Sequence, residues 1–142
     1  VYAQYKHAYL IMSPGMSPRF NGTETMGAMM RRHVLQMHSF YSPFVIAGNR
    51  MDAWGSDIET QENIRLIKRH SLPRNVVVVS SWYHIPRLKL LWKLHLKRER
   101  KDWRVEFSGC KVPNGHFRMV PREAVNLIGT ICGIRTSPLS GW

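Results

Sequence analysis

Asn75–Ser80, NVVVVS, is the stretch that decides the fold class. Four successive β-branched residues disfavour a helix and suit a strand covered on both faces, the pattern of a parallel sheet. Three weaker segments resemble it. Ala8–Met12 (AYLIM) is a short apolar run closed by the turn residues Ser13-Pro14-Gly15. Phe44–Ala47 (FVIA) stops at Gly48-Asn49, and Arg104–Phe107 (RVEF) lies between Trp103 and Gly109. Helical segments fall between the strands. Thr23–His38 is poor in β-branched residues, with Thr23 as a candidate N-cap. Thr60–His70 has Thr60 at its head and Asn63 three residues on, an approximate capping box. Pro86–Lys101 places its proline in the first turn, where a missing N–H costs nothing, and Pro121–Cys132 ends at Gly133. Strand and helix thus alternate four times, which predicts an α/β domain with a mostly parallel sheet.

A chain of 142 residues that is 44% hydrophobic and 21% charged can bury one ordinary core, so a single domain over 1–142 is expected. No internal repeat or low-complexity segment interrupts it. Its charge is lopsided. Five basic residues balance five acidic ones from Val1 to Asn63, whereas Ile64–Trp142 holds sixteen basic against four acidic, the whole of the +12. The basic half is also rich in Val, Leu, Ile and Trp, so the charge decorates folded elements and is not a tail. No run of 18 apolar residues offers a membrane span. The opening VYAQYKHAYLIM lacks the charged head and cleavage site of a signal peptide. Because the chain begins with Val, an upstream segment is left open. Cys110 and Cys132 form no CxxC or Cys/His cluster. Two free thiols in a reducing, cytoplasmic setting are expected, with no metal.

In open α/β sheets ligands bind beyond the carboxyl ends of the strands, so the residues just after each strand carry the chemistry. Ser80-Ser81-x-x-His84-x-x-Arg87 is the densest cluster. A hydroxyl at the strand end, an imidazole in the turn and a guanidinium in the first helical turn can converge on a phosphate or carboxylate, with His84 as proton donor or acceptor. The plainer alternative is that Ser81 caps the helix and Arg87 is a surface charge. Glu59-Thr60-Gln61-Glu62-Asn63 is the second cluster, in which Glu62 or Glu59 would orient the substrate or His84. Its plainer alternative is capping alone. Around the first strand end, Ser13 and Gly15 complete the candidate set.

Thr60-x-Glu62-Asn63 followed by a Val-rich strand and Ser80-Ser81-x-x-His84-x-x-Arg87 resembles the YdcF/SanA/ElyC-type family, built on a domain of unknown function. Ser13-Pro14-Gly15 looks like that family's S-G-G turn, and Glu24 and Met29 stand where its E-A-x-x-M often lies. The resemblance runs from Ala8 to Trp92 and, more loosely, to Glu123. It implies a Rossmann-like three-layer α/β/α sandwich with a polar pocket at the strand ends, lined by Thr60, Glu62, Asn63, Ser81, His84 and Arg87. It also implies a small anionic or nucleotide-like ligand. One branch of the family is associated with S-adenosylmethionine and others with cell-envelope biogenesis, while the reaction is unassigned. Three departures stand out. The family's opening strand and helix have no counterpart, Pro14 replaces a glycine, and Trp54 and Asp57 occupy the positions of its E-x-x-S.

Arg87–Lys101 contains seven Lys/Arg and one Glu, with Lys89, Lys93, Lys97 and Lys101 at every fourth position. As a helix it would be basic and amphipathic, either the solvated outer layer of an α/β fold or a contact for an anionic membrane surface or nucleic acid. Nucleic acid is the weaker partner, since only Trp92 and Trp103 interrupt the basic residues as stacking platforms would.

Overall fold

The computed structural model describes residues 9–14, 24–37, 45–48, 55–97, 100–111 and 119–133. Among them the order is β1 (Leu10–Met12), α1 (Met26–Met37), β2 (Val45–Ala47), α2 (Ser56–Arg69), β3 (Asn75–Ser81), α3 (Ile85–His95), β4 (Arg104–Cys110) and α4 (Met119–Ile131). The fold is mixed α/β, and both strand pairs are parallel. β1 pairs with β2 from Leu10↔Val45 to Met12↔Ala47, and β3 pairs with β4 from Asn75↔Arg104 to Ser81↔Cys110. The chain divides into two compact units, Val1–Leu72 and Pro73–Trp142.

In the first unit, α1 comes very close to the end of β1. A Cβ on Gly27 would lie 2.7 Å from the Ser13 carbonyl oxygen and 2.8 Å from that of Met12. Only glycine permits this approach. Thr25 caps the helix, its Oγ1 accepting from the Ala28 N–H at 3.1 Å and donating to the Gly48 carbonyl at 2.8 Å. One short side chain thus ties the start of α1 to the end of β2. Thr25, not Thr23, is therefore the cap; Thr23 lies outside the described residues. Gly48 accommodates Pro14, whose Cδ would stand 2.5 Å from a Cβ there.

α2 begins four residues before Thr60. Gly55, at φ 89°, reverses the chain, and Asp57 and Glu59 place negative charge on the first turn. Thr60 is thus interior, and its hydroxyl donates back to the Ser56 carbonyl at 2.6 Å. The helix closes with Leu72 N–H donating to the Ile67 carbonyl at 2.9 Å while Ser71 sits at φ 50°, the left-handed position usually held by glycine. Ser71→Gly should accordingly stabilise the chain by about 0.5–1 kcal/mol by relieving that strain. Urea unfolding checks it, and an unchanged midpoint would refute it.

In the second unit Leu88, Leu91, Trp92, Leu96 and Trp103 are buried. β4 runs three residues past Phe107, and Val79 of β3 is 48% exposed, so the Val run is not covered along its whole length. α3 stops at His95, not Lys101. Leu96 turns inward and is buried, and its N–H donates to the Trp92 carbonyl at 3.0 Å to close the last turn. Lys97 and Lys101 therefore lie beyond the helix that carries Lys89 and Lys93. α4 starts at Met119, two residues before Pro121, and ends where Gly133 takes φ 71°. No helix among the described residues is long and apolar enough to cross a membrane.

Candidate functional site

β3 delivers its carboxyl end to a single helical turn, Trp82–His84, which feeds directly into α3. Pro86 fits the first turn of α3 and Arg87 follows it, so His84 and Arg87 are three residues apart on one turn. α4 brings Glu123 to them. His84 Nδ1 lies 2.7 Å from Glu123 Oε2, and Arg87 Nη1 lies 3.7 Å from the same oxygen. Asn126, one turn further along α4, donates to Glu123 Oε1 at 3.3 Å. The cluster is enclosed, with side-chain exposures of 19% for His84, 12% for Glu123 and 9% for Arg87.

Burial alone would push the Glu123 carboxyl upward. The hydrogen bond from His84, the charges of His84 and Arg87, and the Asn126 amide outweigh that, and hold it below its ordinary value. Glu123 is therefore ionised at neutral pH, and its carboxylate accepts from His84 when Nδ1 carries a proton, a contact that orients the ring. Arg87 Nε is buried and has no hydrogen-bond partner among the described residues. A buried guanidinium N–H without an acceptor is costly, and an acceptor supplied from outside would remove that cost. Arg87 is thus a buried cation and not the surface charge that the plainer alternative makes it. Ser81, at the end of β3, forms no side-chain cap hydrogen bond, so helix capping does not account for it.

The second sequence cluster lies in the first unit. Glu62 is 2% exposed and its two oxygens accept from Arg65 Nε and Nη2, both at 2.8 Å. That fork occupies the carboxylate. Asn63 Nδ2 donates to Ser13 Oγ at 3.1 Å across fifty residues of sequence, while Asn63 Oδ1 is buried without a partner among the described residues. Ser13 and Asn63 are brought together, Thr60 serves its own helix, and Gly15 lies outside the described residues.

No family model, curated protein or solved structure matches this chain. The chemistry of the site therefore rests on its own geometry.

The sequence suggests Glu62 or Glu59 to orient the substrate or His84; within the second unit, the carboxylate that contacts His84 is that of Glu123. The available signal was Pro121-Arg122-Glu123 at a helix start. Counted from Pro121, Glu123 falls in the first turn and reads equally well as a partner of the helix dipole, and nothing in the sequence says which strand end the helix faces. The described residues contain no group of three or more His, Cys, Asp or Glu placed to hold a metal ion. Cys110 and Cys132 are free and exposed.

Proposed function

We propose that this chain binds a small anionic or nucleotide-like ligand, S-adenosylmethionine or a phosphorylated metabolite, at the carboxyl end of β3. In this proposal the domain is a Rossmann-like three-layer sandwich of the YdcF type. The observation that carries it is the buried, unpartnered Nε of Arg87 beside the His84–Glu123 pair. Arg87 supplies two-pronged recognition of a carboxylate or phosphate. His84, oriented by Glu123 beside Arg87, stands where it can exchange a proton with the bound anion as general acid or base. Glu123 orients the ring, the role otherwise expected of Glu62, and Ser81 contributes a hydroxyl at the strand end.

A thermal-shift screen with nucleotides, S-adenosylmethionine and sugar phosphates tests this. A stabilising compound should lose its effect in both Arg87→Ala and His84→Ala. A shift that survives in both variants sinks the assignment.

A second property fits the charge. Lys89, Lys93, Lys97 and Lys101 are all exposed, and thirteen of the 21 Lys/Arg lie from Pro73 onward. Such a surface draws anions toward the site, whether free ligands, an anionic membrane or, less favoured, nucleic acid. Trp92 and Trp103 are buried and offer no base-stacking platform. Repeating the screen at low and moderate salt separates the two contributions. Surface attraction weakens steeply with salt, whereas an enclosed Arg87 contact is screened much less.

A further inference from the structure

A groove of about 760 Å³ is lined, among the described residues, by side chains of the first unit. One wall is a single face of α1 with Ala28, Arg31, Arg32 and Leu35 at helical spacing, and the other is β2, Val45–Ala47. Arg31 spans the gap, its Nε donating to the Val45 carbonyl at 3.0 Å. That bond fixes the plane of the guanidinium and leaves its two terminal amino groups with no partner among the described residues. Arg32 is already paired with Glu24 at 2.9 Å, so of the two arginines in the groove Arg31 is the one with no carboxylate partner among the described residues. Ala28, Leu35, Val45, Ile46 and Ala47 give the groove an apolar side, and Gln36 and His70 complete its lining with polar groups.

We propose that this groove is a binding site for a small organic carboxylate with an apolar body. The carboxylate would take the free prongs of Arg31, and its hydrocarbon would lie along Leu35, Val45 and Ile46. The volume is that of an ordinary small-molecule site, and a pre-oriented guanidinium over apolar walls suits an amphipathic anion. This site is separate from the His84–Arg87–Glu123 cluster and does not rest on it.

Octanoate, octanol and acetate, each titrated into the full chain with methyl NMR as readout, test the assignment. Octanoate should shift the Leu35, Val45 and Ile46 methyls and bind about tenfold tighter than octanol, because a charge-assisted hydrogen bond replaces a neutral one. Acetate, without an apolar body, should bind far more weakly than either. Arg31→Gln should remove the preference for octanoate while octanol affinity stays within about twofold. Ala28→Trp, which fills the groove, should abolish both, and it serves as the independent test if Arg31→Gln fails to fold. Equal binding of octanoate and octanol, shifts confined to Leu88 and Leu91, or an unaltered preference in Arg31→Gln would each overturn the proposal.

Discussion

Gly27→Ala should destabilise the chain by about 1–3 kcal/mol, the usual cost of forcing extra volume into a packed site. The expectation runs against helix propensity, since alanine is favoured over glycine by roughly 1 kcal/mol inside a helix. Steric cost wins because the atoms in the way cannot yield. The new Cβ would meet two backbone carbonyl oxygens, of Met12 and Ser13, inside 2.8 Å or less. Met12 is held by its pairing with Ala47, and its carbonyl accepts from Gly48 N–H at 3.0 Å. Relief would require α1 to retreat from the sheet, breaking the Thr25 bridge to Gly48. Denaturant unfolding should show a lower midpoint at an unchanged slope, with Gly27→Val worse still. An alanine variant as stable as the parent would show that α1 does not approach β1 this closely.

Glu123→Ala should be comparably damaging, about 1–3 kcal/mol, because it strips a mostly buried imidazole and a buried guanidinium of their shared acceptor. Its pH dependence separates this cause from lost packing. The folded-state pKa of Glu123 is lowered, so the stability it contributes is fully present above the ordinary carboxyl range. That contribution is lost as pH falls through the folded value, where folded and unfolded chains both become protonated. The stability gap between the parent and Glu123→Gln should therefore be widest near neutrality and narrow on acidification. A gap that stays constant from neutral to acidic pH would mean that the carboxylate's charge plays no part.

The alternation of strands and helices was legible because the Val run, the Pro positions and the closing Gly133 are local signals, each acting within a few residues. Boundaries failed where a local signal had a rival. Thr60 looked like a cap because Asn63 stood in the right register, yet Gly55 and the acidic residues behind it start α2 earlier. The basic run suggests helix to Lys101, but α3 closes at His95, where Leu96 turns into the core. At the site, His84 and Arg87 were accessible because one turn of helix separates them. Glu123, thirty-six residues beyond Arg87, was not, because periodicity describes an element and not the neighbour it packs against. Asn63 and Ser13, fifty residues apart, were each singled out, but their contact depends on tertiary structure.

The turn from β3 through α3 to β4 brings together two indoles that the sequence keeps eleven residues apart. Trp92 on α3 and Trp103 at the entry to β4 lie with ring centroids 6.3 Å apart and planes tilted by 60°, and the Arg74 guanidinium stands 5.8 Å over the Trp103 ring. Indoles this close and inclined should give a near-ultraviolet circular-dichroism band that reports the packing of α3 against β4, and Trp103→Phe should remove it.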